Sequence, residues 1–260
     1  MKLLFISFCL LLIPFVFSTC NNETATPVDL TTGLTARYMF NGNSKDDSGN
    51  HFDGTLYGNA TYSDDRFGVM DRSLVLDGNN DYVSVDDNDL LDIGTDENAV
   101  YSISLWYKST GDGGQRVNWI IGKGITQSSA YTDYGFAIHN DVDYLGERKL
   151  LWLTGPSTDD CAFSFFDSLE TNEWHHIALI LEAQTAQSGL KTIYIDGKLI
   201  SSFIYNEKTD SRSEDLLIGA GLRPDGWMER YFKGNIDDIY IYRRALTEVE
   251  VLALFNASAQ

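Results

Sequence analysis

The chain has 260 residues, 43% hydrophobic and 13% aromatic, which is enough apolar material for a large core and excludes general disorder. Its formal charge is −19, from 19 Lys and Arg against 38 Asp and Glu. That balance excludes nucleic acid as a partner, because phosphate binding needs clustered cations; it suits secretion, cation binding or plain solubility.

The N-terminal stretch "MKLLFISFCLLLIPFVFSTC" sets Lys2 before an apolar run from Leu3 to Phe17, followed by small polar residues and Cys20. This is the layout of a secretory signal, too short for a comfortable permanent span. Residues 1–19 are therefore expected to be removed, and residues 20–33, polar and containing Pro27, read as a tether. Cleavage before Cys20 would resemble bacterial lipoprotein processing, with Cys20 acylated and the membrane touched only through that lipid. The alternative is ordinary cleavage near Thr19 or Cys20, which leaves Cys20 available to pair with Cys161. Both routes place the protein outside the cytoplasm, secreted or held as a bacterial outer-membrane or cell-surface lipoprotein.

Residues 34–256 form a series of short runs punctuated by Gly, Asn, Asp and Ser. In chain order they are "LTARYMF", "SLVLDG", "DYVSVDD", "YSISLWYKS", "NWIIGKG", "YGFAIHN", "KLLWLTG", "HHIALILEA", "KTIYIDGKLISSFIY", "DLLIGAG" and "NIDDIYIYRR". Many alternate β-branched or aromatic residues with polar ones, as half-buried antiparallel strands require. Asp196-Gly197 lies between two alternating runs and predicts a tight hairpin, since both residues tolerate positive φ. A helix is predicted only at the end, in "LTEVEVLALFNA". There Thr247 and Glu250 form a capping box, and Leu246, Val249, Leu252 and Phe255 are expected to face the sheet. About a dozen strands and one terminal helix, with no internal linker, predict a single all-β domain: an antiparallel β-sandwich or jelly roll.

Several of these stretches resemble the laminin-G-like, concanavalin A-like jelly-roll family in its bacterial form. The resemblance rests on "GLTARYMFNGNSKDDSGNHFDGTLYGNATY", "SLVLDGNNDYVSV", "YSISLWYKS", "EWHHIALIL" with "TIYIDGKLI", and "FKGNIDDIYIYRRALTEVEV", in that order from about Leu34 to Phe255. It implies the fold but no single activity, because the fold hosts lectins, adhesion modules, hydrolases and lyases. It also implies a structural calcium at the first acid of "NIDDIY". Strand alternation sets Asp237 with Ile239 and Ile241 on one face, and Asp238 with Tyr240 and Tyr242 on the other. Calcium takes about 6–8 oxygen ligands, and the loop "FNGNSKDDSGN" offers hard oxygens. Asp47, Asp237 and Asn41 are the expected ligands, with Asp46 able to replace Asp47.

Jelly rolls of this kind offer a concave face and loop rims to extended ligands, and aromatic rings stack on sugar C–H faces. Trp227 in "GLRPDGWMERY", with Arg223 and Asp225, is the leading sugar contact; Trp119 and Tyr134 are expected as further loop aromatics. Trp106 and Trp174 belong to family blocks and read as structural. His175 and His176 are adjacent in a strand, so they face opposite ways and form no metal pair. Glycoside hydrolysis needs two carboxyls flanking the scissile bond, and no strand here carries the Glu-x-Asp-x-Glu pattern of jelly-roll hydrolases. The sequence thus predicts a non-catalytic module with a structural Ca2+, binding a polysaccharide or glycoconjugate. The alternatives are a protein-adhesion or structural module that contacts cell-surface proteins and, third, a glycan-cleaving enzyme.

Overall fold

The computed structural model describes residues 27–92, 99–111, 113–114, 116–124, 132–140, 148–155, 162–163, 171–185, 188–205, 213–223 and 226–257. Two antiparallel sheets face each other. The larger runs in spatial order β13 (Lys198–Tyr205), β12 (Ser188–Ile195), β11 (His175–Thr185), β6 (Val100–Ser109), β17 (Lys233–Tyr242), β4 (Ser73–Asp77) and β3 (Thr61–Ser63). To it β1 (Leu34–Tyr38) adds by pairing with the second half of β17. The smaller runs β10 (Ala162–Phe163), β9 (Lys149–Gly155), β8 (Thr132–His139), β7 (Val117–Gly124), β14 (Leu216–Ile218), β5 (Tyr82–Val85) and β2 (Gly54–Tyr57). A separate hairpin joins β15 (Gly221–Leu222) to β16 (Met228–Glu229).

The alternation seen in the sequence is the origin of this architecture. Ile103, Leu105, Ile177, Leu179, Ile236 and Ile239 from one sheet meet Val83, Ile121, Phe136, Trp152 and Ile218 from the other in one buried core. A second, smaller core lies outside the larger sheet, where the helix α1 (Glu248–Phe255) covers Ala178, Ile180, Tyr240 and Tyr242. The predicted capping box is present: Glu250 N donates to Thr247 Oγ1 at 3.3 Å, and Thr247 N donates to Glu250 Oε2 at 2.7 Å. The buried face differs from the expected one. Val251 and Leu254 turn inward with Leu246, while Val249 and Leu252 are exposed. A helix advances 3.6 residues per turn, so steps of three drift away from a fixed contact line.

The hairpin between β12 and β13 turns as predicted, with φ of +48° at Asp196 and +73° at Gly197. Glycine is needed there twice over, because a Cβ at Gly197 would meet the Phe255 ring at 2.8 Å. The Asp196 carboxylate accepts from His176 N at 2.9 Å and contacts His175 Nδ1 at 3.1 Å. The two histidines do face opposite ways: His175 lies beside Tyr107 in the main core, and His176 packs against both Trp106 and Phe255 beneath the helix.

Candidate functional site

The adjacent acids of "NIDDIY" do not divide between faces as alternation requires. Pairing of β17 with β6 shifts between Asp237 and Tyr240, so three steps on β17 match two on β6, from Trp106 to Ser104. Asp238 takes up the extra residue with φ of +48°. This β-bulge resets the pleat. Asp237 then joins Tyr240 and Tyr242 on the outer side, while Ile236, Ile239 and Ile241 keep to the main core. Both carboxylates reach one guanidinium: Arg66 Nη1 lies 3.2 Å from Asp237 Oδ2 and 2.6 Å from Asp238 Oδ2. Arg66 Nη2 donates to Ala257 O at 3.1 Å, and its planar group sits 4.6 Å from the Trp106 ring centroid and 4.5 Å from that of Phe67. Burial pushes the Asp237 carboxyl upward, and Asp238 beside it adds to the shift. One guanidinium serves two acids, so the second negative charge is the costly one.

Two of the three expected calcium ligands are brought to one pocket and the third is not. Asn41 and Asp237 line one small pocket with Met39, Asp65, Arg66, Arg72 and Asp238, but Asp47 does not line it. Asp47 is exposed and is held by its backbone to Arg37. Asp46 is buried for a different reason. Its carboxylate accepts from Arg37 N, Ser48 N, Ser48 Oγ and Phe52 N at 2.8–3.1 Å, closing the loop on itself. Among the described residues, no group of three or more His, Cys, Asp or Glu side chains is placed to hold a metal ion. At Asp237 the cation that meets the carboxylate is a guanidinium of the chain itself.

The expected sugar contacts separate as well. Trp227 is 72% exposed on the loop between β15 and β16, which is closed by Arg223 N donating to Trp227 O at 2.9 Å. Arg223 Nη1 lies 3.6 Å from Glu229 Oε2, and Arg230 Nε lies 3.0 Å from Glu229 Oε1. Asp225 falls outside the described residues, as do Cys20 and Cys161. Trp119 and Tyr134 are not loop aromatics. They lie on β7 and β8 and are 0% and 2% exposed. Tyr134 faces the main core, whereas the Trp119 ring covers Gly122 and Gly135, where added Cβ atoms would stand 3.4 and 2.1 Å from its carbons. Trp106 is buried beneath Arg66 and Phe255, and Trp174 is half-buried with Lys108 Nζ 5.2 Å from its ring centroid.

A different aromatic set is gathered at the end of the smaller sheet. Tyr57 and Tyr82 are register partners on β2 and β5, with ring centroids 4.7 Å apart and planes 4° from parallel. Tyr231 continues the row, its centroid 6.4 Å from that of Tyr82. The position of each ring has a local cause. Leu56 and Val83 pack toward the core, so the pleat turns Tyr57 and Tyr82 outward. Behind Tyr57, Gly58 turns the chain at φ of +71°, and Asn59 N donates to Asp81 Oδ1 at 2.6 Å. Tyr231 follows the β15–β16 hairpin and is held by Asn118 Nδ2 donating to its carbonyl at 2.7 Å, while its hydroxyl donates to Met228 O at 3.1 Å. Burial raises the hydroxyl pKa of both Tyr82 and Tyr231, so these groups stay protonated donors at neutral pH. These three tyrosines are not among the expected contacts. The alternation in "GTLY" and "DYVSV" marks Tyr57 and Tyr82 as outward, but nothing local reveals that β2 and β5 pair in register.

Two facing antiparallel sheets with an outer helix define a β-sandwich of the jelly-roll class. Residues 77–252 match the concanavalin A-like lectin/glucanases superfamily, and the chain belongs to that family. A search of the curated proteins returned no match. Among solved structures, one similar fold is domain 4 of AbnA, an extracellular GH43 arabinanase from Geobacillus stearothermophilus, in complex with arabinotriose. Identity is 22%, coverage is 86% of this chain and 98% of that one, and the TM-score is 0.60. Another is the binding domain of Paraclostridial Mosquitocidal Protein 1, with 18% identity, coverage of 88% and 53%, and a TM-score of 0.61. A third is the binding domain of botulinum neurotoxin DC in complex with rat synaptotagmin II, with 16% identity, coverage of 88% and 52%, and a TM-score of 0.61. The chain spans about half the length of these toxin domains. At such identities the likeness establishes the fold alone.

Proposed function

We propose that this protein is an extracellular, surface-associated binding module whose ligand is a glycan. The observation that carries the reading is Trp227, an indole 72% exposed on a hairpin loop of a lectin-type fold. A large aromatic ring in water costs free energy unless a ligand covers it, and the C–H face of a sugar is a suitable cover. Arg223 and Glu229 lie on the same hairpin and supply hydrogen-bonding groups. The arabinotriose in the AbnA domain supports a sugar ligand by analogy of fold. Secretion and a lipid at Cys20 belong to the same proposal and rest on the N-terminal sequence; among the described residues, no helix is long and apolar enough to cross a membrane.

Affinity electrophoresis against a polysaccharide panel tests the reading, with the polymers assayed for scission. Retardation by one polymer, weakened in Trp227→Ala and without chain cleavage, is the expected result. Cleavage of the retarding polymer would make the protein an enzyme. A protein partner is the second reading, favoured by Leu199 and Ile204, exposed apolar side chains on the edge strand β13. It takes precedence if no polymer retards the protein.

A further inference from the structure

We infer that the row Tyr57–Tyr82–Tyr231 is a second contact surface for the glycan and that the glycan it takes is uncharged. This rests on the reading of the protein as a glycan-binding module and assigns to it both a further site and a ligand class. Strand β2 is the edge of its sheet, and Tyr57 is 44% exposed with one ring face against Tyr82. Its other face is turned past the sheet edge, where a sugar ring can lie against it. Tyr82 and Tyr231 are half-buried, so their bodies are fixed by packing and lose little side-chain freedom when a ligand arrives. The row also leads toward the first contact, since the Tyr231 hydroxyl is bonded to the carbonyl of Met228, the residue after Trp227. The tyrosine row and the Trp227 loop are thus joined through Met228.

Charge selects the ligand class. The carboxylates flanking the row are Asp215, bonded to Ser84 two positions along β5 from Tyr82, and Glu229, on β16 two positions before Tyr231. Asp215 is held in place by Ser84 Oγ at 2.8 Å and Asp87 N at 3.1 Å. The guanidiniums nearby, Arg223 and Arg230, both pair with Glu229. These two cations offset the two carboxylates locally, so repulsion of a polyanion comes from the −19 of the whole chain. A uronate, sialylated or sulfated polymer meets that repulsion, whereas the C–H faces of a neutral sugar meet tyrosine rings.

The test is affinity electrophoresis of the native protein, Tyr57→Ala and Trp227→Ala. Gels carry either neutral polymers (arabinan, xylan, mixed-linkage glucan) or acidic ones (polygalacturonate, alginate, a sulfated galactan). Each is run at about 0.1 M and 1 M salt, where the Debye length falls from about 10 to about 3 Å. Tyr57→Ala, at an exposed edge, is checked first for an unchanged unfolding midpoint. The expected result is retardation by a neutral polymer at both salt levels, with affinity lowered roughly tenfold, about 1.4 kcal/mol, in Tyr57→Ala. Native-like retardation of Tyr57→Ala, with loss only in Trp227→Ala, overturns the tyrosine site and leaves the module reading intact. Retardation mainly by an acidic polymer, weakened by salt, overturns the ligand class alone. No retardation by any polymer overturns both.

Discussion

Replacing Arg66 by alanine is the perturbation that bears most directly on how the outer face is held. The side chain is 6% exposed, and its two acids are 3% and 13% exposed, so the whole group is out of bulk water. Removing one member of a buried ion pair leaves uncompensated charge and costs about 3–5 kcal/mol. The contacts to Trp106, Phe67 and Ala257 O are lost with it, but they are alternative descriptions of one side chain and are not added on top. A domain has about 5–15 kcal/mol in all, so the variant is expected to fold with a much reduced margin. At a urea slope of about 3 kcal/mol per molar, the midpoint falls by roughly 1–1.7 M. Chelator is expected to leave the native midpoint where it was, since a ligand stabilises only by binding the folded state. The triple variant Arg66→Ala with Asp237→Asn and Asp238→Asn is expected to recover most of the loss, because the desolvated charge has gone. A loss below about 1 kcal/mol would show that the acids are hydrated rather than paired. A native midpoint that drops on chelation as far as it does in the variant would return a metal to Asp237.

His176 gives a pH dependence of definite sign. Burial beneath the helix lowers its pKa from 6.5 to about 3, with Ser104 Oγ 2.8 Å from Nε2. Between those values the unfolded chain binds the proton and the folded one does not, so this contribution is full above pH 6.5 and is lost as the pH falls toward 3. Asp237, an acid shifted upward, acts with the opposite sign, which is why native protein must be compared with His176→Gln. The unfolding midpoint of the variant is expected to be flatter on acidification, and equal slopes in the two proteins would refute the assignment. Trp119→Ala is expected to cost about 3–5 kcal/mol by urea unfolding, as a buried ring lost from a strand does. Because the ring is 0% exposed, any polysaccharide retardation per folded molecule is expected to be unchanged, and a selective loss of binding would place Trp119 in the site after all.

Much of the fold was legible before any coordinates. Period-two alternation marks which residues of "YSISLWYKS" or "HHIALILEA" turn inward, because a pleat sends neighbours to opposite faces whatever the surrounding structure. The Asp196-Gly197 turn and the Thr247–Glu250 capping box are equally local, each needing only a few consecutive residues. Trp227 was readable as an exposed aromatic for the same reason, since no strand pattern demands its burial.

What the tertiary structure alone decided involves partners far apart in the chain. The bulge at Asp238 breaks the pleat, and nothing in "NIDDIYIY" announces it; there Arg66, 171 residues away from Asp237, meets both acids. Trp119 follows a Gly-rich stretch and reads as a loop residue, yet Gly122 and Gly135 on two neighbouring strands make the space that buries its ring. Tyr57, Tyr82 and Tyr231 form a row only once β2 pairs with β5 and the β15–β16 hairpin is pinned to Asn118. Local sequence dictates conformation and facing, because those depend on sterics and burial within a few residues. The identity of the residue that fills a given space depends on strand order and register, and those are settled only when the two sheets close on each other.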